Sequence, residues 1–189
     1  GDFNNSGFTL RLDADTLDSL DFPSKGYYAN LRYRGALTAL SADAEFQTLL
    51  LDGVKPFAWG KSVLIPRLHL GATLSGEPGP EDLFLLGGFL NLSGYQPGDI
   101  SGKYVGLAEL VYLYRLNDAS AAFSLPPYVG GSLEAGGGWE SLDNFQSDSI
   151  IPAGSLFLGA DTPLGPAYLG AGFSEQQSAL YLMLGKLLW

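Results

Sequence analysis

The chain has 189 residues, with 20 acidic and 10 basic side chains, 26 Gly and no Cys. Without cysteine it has no disulfide framework, no thiolate nucleophile and no cysteine-bound metal. A net charge of −10 without a basic stripe excludes a nucleic-acid partner that depends on phosphate neutralisation. Charged residues make up only 16% of the chain, against about 25% in an ordinary globular domain, so the apolar residues need an unusual location.

The apolar residues do not form a membrane helix. The longest apolar stretch, residues 83–92, is interrupted by Gly87, Gly88 and Asn91, and a spanning helix needs about 20 consecutive apolar residues. The first residues carry no signal-peptide pattern, so we expect a mature chain or an excised fragment.

Apolar and polar residues instead alternate with a period of two, which predicts β-strands. In chain order we expect nine strands, at about residues 8–17, 23–37, 41–54, 61–75, 103–117, 121–137, 152–162, 165–174 and 177–189. Most of them exceed the length of about five or six residues that is common in soluble strands.

Within these strands the ions share one face, and the opposite face is apolar and rich in aromatic residues. Ions of both signs on one face are typical of the water-filled interior of a membrane barrel. We therefore expect Leu110 and Tyr112 to face lipid and the ions to face a lumen. The lumen-facing residues predicted in this way are Arg32, Arg34, Arg67, His69, Glu109 and Arg115.

Short and long connections alternate along the chain. Turn-type sequences occur at residues 20–24, 55–60, 117–120 and 162–165, whereas 77–102 and 138–150 are long and acidic. Outer-membrane barrels have short periplasmic turns and longer external loops. The sequence therefore predicts one all-β domain over residues 1–189, an antiparallel up-and-down transmembrane β-barrel of about nine or ten strands. A soluble sandwich or lipocalin-like barrel is the alternative fold.

An odd number of strands cannot close an antiparallel barrel without one parallel seam. An unpaired strand edge in hydrocarbon costs several kcal/mol per unsatisfied backbone group. We therefore expect further strands, either missing N-terminal ones or those of a larger barrel.

The chain lacks the residues of the common catalytic sites. No Ser stands in a Gly-x-Ser-x-Gly nucleophile elbow. We interpret His69 as a polar lumen residue rather than a base. The acidic run at 77–82 is interpreted as solvated loop, since divalent-ion sites need several converging oxygen ligands. The sequence thus predicts no catalytic residue, no metal and no cofactor.

One segment resembles a known family. Phe84-Leu-Leu-Gly-Gly-Phe-Leu-Asn-Leu-Ser-Gly-Tyr95 resembles the Gly-Gly-Phe and Arg-Gly-Tyr/Phe signature in the lumen-folded loop of the Omp85 superfamily. Its Leu-Ser-Gly-Tyr form is most similar to the barrel of patatin-like outer-membrane phospholipases, the type Vd autotransporters. Segments 107–116, 130–136 and 155–165 are also similar, so the resemblance covers about residue 60 to the end. The loop-motif residues that it implies are Gly87, Gly88, Phe89, Leu92, Ser93, Gly94 and Tyr95.

The resemblance implies that residues 77–102 fold into the lumen and that five strands follow. Most relatives carry Arg where this chain has Ser93, and such an Arg anchors the loop by charge-assisted bonds. We expect the neutral Ser93 to hold the loop less firmly, so that Ser93→Ala changes little. Tyr95 is expected to pack on the strands at 103–117 and 121–137, so that Tyr95→Ala raises permeability.

The last strand resembles the C-terminal sorting strand of bacterial outer-membrane proteins, which ends on an aromatic residue recognised by the barrel-assembly machinery. The residues concerned are Tyr181, Met183, Gly185, Leu187 and Trp189.

These features lead to three functional hypotheses. The first is an outer-membrane anchor and translocator of the type Vd autotransporters, with a patatin-like lipase passenger in cis. The second is a free-standing Omp85-type barrel for protein translocation or assembly, and the third a soluble β-barrel binding protein. The first two imply a bacterial outer-membrane location and contact with outer-membrane lipid, with a homodimer as one possible state.

Overall fold

The computed structural model describes residues 6–36, 45–116, 127–144, 146, 149–162 and 164–185. Its strands are β1 (Gly7–Asp15), β2 (Tyr28–Ala36), β3 (Phe46–Val54), β4 (Phe57–Trp59), β5 (Ser62–Gly76), β6 (Phe84–Leu86), β7 (Ile100–Gly102), β8 (Tyr104–Arg115), β9 (Pro127–Trp139), β10 (Ile151–Thr162), β11 (Gly165–Ser174) and β12 (Ser178–Leu184). Two short 3-10 turns lie at Pro80–Asp82 and Leu142–Asn144.

Ten of these strands form one antiparallel sheet, in which β1, β2, β3, β5, β8, β9, β10, β11 and β12 follow one another and β4 pairs with β5. This confirms the predicted all-β antiparallel fold of about nine or ten strands. Among the described residues, β1 and β12 are not paired with each other. Because β1 and β12 are the first and last of nine strands that alternate in direction, they run parallel, and antiparallel closure takes an odd number of further strands.

No helix within the described ranges is long and apolar enough to cross a membrane.

The strand boundaries differ from the prediction in two places. Residues 23–27, predicted to begin a strand, belong to a twelve-residue connection between β1 and β2. The predicted turn at 55–60 is displaced, because the chain pairs again as β4 and turns at Gly60 and Lys61. The predicted segments 41–44, 117–126 and 186–189, with Leu187 and Trp189, lie outside the described residues.

The sheet has an inner and an outer face, which β8 illustrates. The odd-numbered residues from Val105 to Leu113 are buried, whereas Leu110 and Tyr112 on the other face are about 40% exposed. The neighbouring strands keep this alternation in register, because Arg67 pairs with Glu109 and Glu109 pairs with Glu134. The inner face is therefore the buried one.

The expectation of a water-filled interior is wrong for this face. Much of the inner face is packed with apolar side chains from six strands and two connections, namely Phe22, Val54, Val63, Ile65, Phe89, Leu90, Val111, Leu113, Tyr128, Phe157 and Tyr168. The apolar residues that interrupt the polar face in the sequence, such as Val63 and Ile65, form this core. They are needed because two connections fold against the inner face and exclude water from it.

The surroundings of Gly130 on β9 show how tightly this core is packed. A Cβ atom on Gly130 would lie 2.4 Å from Phe157 Cζ and 2.9 Å from Leu113 Cδ2, whereas a Cβ on Gly53 of β3 would meet no atom within 4 Å. Overpacking a filled core typically costs about 1–3 kcal/mol. We predict that Gly130→Ala lowers the free energy of unfolding by that amount in urea titrations and that Gly53→Ala does not. Equal effects at the two positions would contradict a packed interior.

Candidate functional site

The connection from β5 to β8, residues 77–103, folds back onto the inner face, and we call it the inner loop. Strands β6 and β7 pair within it. Leu86 of β6, together with Leu92 and Tyr95 further along the loop, forms a buried cluster with Val105 and Leu107 of β8. Tyr95 is only 5% exposed. The structure thus places the motif residue Tyr95 against the wall rather than in solvent.

The tip of the inner loop has an unusual backbone. Leu90 and Leu92 have positive φ angles of 56° and 67°, a region that residues with a side chain rarely adopt. Such conformations cost about 1–3 kcal/mol each and persist only where the surroundings fix them. The carbonyl of Leu90 accepts a hydrogen bond of 2.8 Å from Arg67 Nη1, and its N–H donates to Ser93 Oγ over 3.0 Å. These bonds hold the tip in its strained form.

Ser93 is the loop residue that binds a charged group of the wall. Its backbone N–H and its hydroxyl each donate a hydrogen bond of 2.7 Å to the carboxylate of Glu134 on β9. Both residues are buried, and Ser132 also donates to Glu134. The expectation that Ser93 holds the loop weakly therefore has to be revised, because here the acceptor supplies the charge that makes the bonds charge-assisted.

A second anchor comes from β5. Arg67 Nη1 lies 3.2 Å from Glu109 Oε2 while it donates to the loop carbonyl of Leu90. The side chains of Arg67 and Glu109 are 9% and 0% exposed. Since Arg67, Glu109 and Glu134 are register neighbours on β5, β8 and β9, the wall presents one guanidinium and two carboxylates in a row beneath the loop.

The third contact comes from β12. The Gly94 N–H donates to the Tyr181 hydroxyl over 2.9 Å, and this hydroxyl lies 3.4 Å from the carbonyl of Tyr95. Gly94 has a φ of 102°, and a Cβ there would lie 2.9 Å from Gln177 O. Glycine is thus required both by conformation and by close approach. The sequence assigns Tyr181 only to the sorting strand. Its position on the inward face of that strand is the signal that could have indicated a contact with the loop.

The other predicted site residues lie apart from this anchor. Arg34 pairs with Asp82 of the inner loop, and His69 Nδ1 lies 2.6 Å from Asp52 Oδ1. Arg32 is exposed and lines, with His69 and Met183, a cavity of about 600 Å³ beside the loop tip.

The remaining positions make local contacts. Arg115 lies over the ring of Tyr128 at 5.6 Å, and the Gly185 N–H donates to Pro166 O over 2.8 Å. Gly87 and Gly88 donate to the carbonyls of Asn91 and Tyr95 and so close the loop tip on itself. The structure therefore brings together Arg67, Ser93, Gly94, Tyr95, Glu109 and Tyr181, but not the other ions.

The first anchor can be tested on the loop itself. Ser93→Ala removes a hydroxyl that both donates to Glu134 and accepts from Leu90, and an unsatisfied buried group costs about 1–3 kcal/mol. We predict a loss of unfolding free energy of that size, measured by urea titration of the folded protein. Gln96→Ala, at an exposed position of the same loop, is the control and should have no effect. Indistinguishable midpoints for the two variants would refute the anchor.

The second anchor is tested by a double-mutant cycle. Arg67→Gln leaves the Glu109 carboxylate buried without its cation, which typically costs about 3–5 kcal/mol. The variant carrying both Arg67→Gln and Glu109→Gln leaves no lone charge, so we predict that it unfolds at a higher urea concentration than Arg67→Gln alone. Additive losses in the cycle would show that the two side chains do not interact.

Known proteins share this arrangement of strands. Among solved structures, the crystal structure of BamA from Haemophilus ducreyi lacking POTRA domains 1–3 is similar, with a TM-score of 0.73 and 15% sequence identity over 93% of this chain. The chain spans 40% of the length of that structure. No curated protein matches the chain.

A family model described as the Omp85 superfamily domain matches residues 1–165. The match begins at residue 1, so the similarity is not limited to the range from about residue 60 to the end. The matched range contains the inner loop and the anchoring strands β5, β8 and β9, whereas β12 with Tyr181 lies beyond it. The chain belongs to the Omp85 superfamily, and its sheet is a β-barrel sheet of the bacterial outer membrane.

Proposed function

We propose that this chain forms part of the wall of an outer-membrane barrel that inserts or exports polypeptides, and that the anchored inner loop controls its opening. The observation that carries the proposal is the bond from Ser93 to the buried Glu134 carboxylate, reinforced by Arg67. It ties the loop motif that resembles the Omp85 signature to the wall of the same barrel.

The packed interior gives this anchor its role. A polypeptide cannot pass along the inner face while the inner loop and the apolar core occupy it. Opening must therefore break the contacts of the loop with Glu134, Arg67 and Tyr181. Charge-assisted hydrogen bonds are worth about 1.5–3 kcal/mol each, so the closed state is favoured until a partner or substrate supplies comparable free energy.

A second candidate is the anchor of an autotransporter with a patatin-like lipase passenger. The same packed interior favours it, because an anchor needs a stable wall and no permanent conduit. In this reading the barrel holds a domain at the cell surface, and the wall contacts lipid through the outer face. A homodimer and recognition of the last strand by the assembly machinery belong to this proposal as well.

Depletion in the source bacterium separates the two candidates. If the barrel inserts or exports other proteins, lowering its level should reduce the folded, heat-modifiable forms of other outer-membrane barrels. Wild-type chain should restore them, whereas Glu134→Ala at the same level should not, because that variant loses the acceptor for Ser93. Unchanged amounts of other barrels, with loss only of a domain attached to this protein, would contradict insertion and favour the anchor.

A further inference from the structure

The connection between β1 and β2 does more than reverse the chain. We call residues 17–26 the cap segment. It follows β1, whose pairing with β2 is extended by a 2.9 Å hydrogen bond from the Thr16 N–H to the Tyr27 carbonyl. Within it, Phe22 is 8% exposed and Pro23 is buried, although most of the neighbouring residues are at least partly exposed. A short surface turn has no reason to bury an aromatic side chain.

The cap segment has its own internal scaffold. One carboxylate oxygen of Asp18 accepts hydrogen bonds of 2.8 Å and 3.0 Å from the N–H groups of Ser24 and Lys25, and the other accepts from the Ser24 hydroxyl. Burial raises the pKa of Asp18, but these bonds lower it by more, so the net pKa is below its usual value. The carboxylate is therefore ionised at neutral pH and keeps the segment folded.

Gly26 closes the base of the cap segment. Its φ is +89°, and a Cβ there would lie 2.0 Å from the carbonyl oxygen of Thr16. No other residue fits this close approach of the two chain ends. The segment is thus a formed loop with a fixed base, which presents Phe22 in one direction.

Phe22 occupies a recess in the opposite wall. On the inner face Gly159 of β10 stands between its register neighbours Tyr128 of β9 and Tyr168 of β11. The ring of Phe22 stacks on Tyr128, with centroids 4.4 Å apart and planes at 7°, and lies 5.3 Å from Tyr168. The Tyr168 hydroxyl also donates to Asp21 O over 3.2 Å. Two tyrosines flanking a glycine therefore form a seat for one aromatic ring.

The location of this seat shows that the cap segment crosses the interior. Strands β3, β5 and β8 separate β2 from β9 along the sheet. The β1–β2 connection can reach β9, β10 and β11 only across the concave inner side. It does so at the end of the sheet that carries the turn between β4 and β5 and the connection between β10 and β11, which we call the short-turn end. The inner loop enters from the other end.

We propose that the cap segment is a second plug, which closes the barrel interior at the short-turn end, and that the recess of Tyr128, Gly159 and Tyr168 is its receptor. The two plugs meet at one side chain, because Phe89 of the inner loop lies 5.6 Å from the ring of Tyr168 that also contacts Phe22. This inference rests on the packing of the cap segment and is independent of whether the barrel inserts proteins or anchors a passenger.

Trypsin provides a readout that does not depend on transport. Lys25 lies in the cap segment with an exposed side chain, but its N–H and carbonyl are both hydrogen-bonded to Asp18. The folded protein should resist cleavage after Lys25. Phe22→Ala should make that cleavage at least about tenfold faster, because proteolysis follows the population of the open form.

A second variant acts from the wall, so that the test does not depend on one substitution. A Cβ on Gly159 would lie 2.9 Å from Phe22 Cε1, so Gly159→Val should fill the seat and release the segment in the same way. Leu20→Ala, at a 43% exposed position of the cap segment, and Leu158→Ala, at a 53% exposed position on the outer face of β10, are the matched controls. Both should remain as resistant as the wild type.

Permeability distinguishes a plug from a merely packed turn. Two plugs in series keep the interior closed until both are released. Uptake of a large antibiotic should therefore rise little in cells that carry Phe22→Ala or Ser93→Ala alone. In cells that carry both substitutions, the fold increase in uptake should exceed the product of the two single increases. Resistance to trypsin in both Phe22→Ala and Gly159→Val would overturn the seat. Purely multiplicative uptake in the double variant would overturn the second plug.

Discussion

The structure depends on the partners that two buried carboxylates of the wall find. Glu109 and Glu134 lie side by side on β8 and β9, each about 4% exposed. Carboxylates removed from water are costly unless they are paired and hydrogen-bonded. Arg67 pairs with Glu109 and the inner loop donates two bonds to Glu134. The loop is therefore part of what makes this wall stable, and the wall in turn fixes the strained loop tip.

The packing of the interior follows from this arrangement. Once the inner loop is held against β8 and β9, the inward positions around it are shielded from water and carry apolar side chains such as Leu107 and Val105. At the short-turn end, Phe22 and the aromatic residues of β9 to β11 likewise form a buried apolar cluster. The outer face keeps its exposed leucines and tyrosines, as a surface that contacts membrane lipid requires.

The sequence predicted the fold better than it predicted the site. The period-two alternation in β8 determines which side chains face inward, because neighbouring residues of a strand point to opposite faces. The loop motif pointed to Ser93 and Tyr95, but not to their partners. Glu134 lies on another strand, and its position opposite the loop depends on the register between strands. The alternation of polar and apolar residues within one strand does not determine that register.

Two features were missed for a common reason. The sequence predicts only a tight turn at residues 20–24 around Phe22, since its contacts with Tyr128 and Tyr168 come from residues more than a hundred positions away. In the sequence, Val63 and Ile65 of β5 interrupt a polar face without an evident reason, because alternation shows which residues face inward but not what fills the space there. Both follow from long-range packing rather than from local pattern.

Hydrogen exchange of backbone amides in the membrane-embedded protein tests the central claim most directly. The Ser93 and Gly94 N–H groups donate to Glu134 and to Tyr181 inside the barrel, so their exchange should be as slow as that of β8 and β9 amides. An exposed loop exchanges through local opening at little free-energy cost. Exchange of Ser93 and Gly94 as fast as that of the exposed residue Glu140 would show that the inner loop is not anchored to the wall.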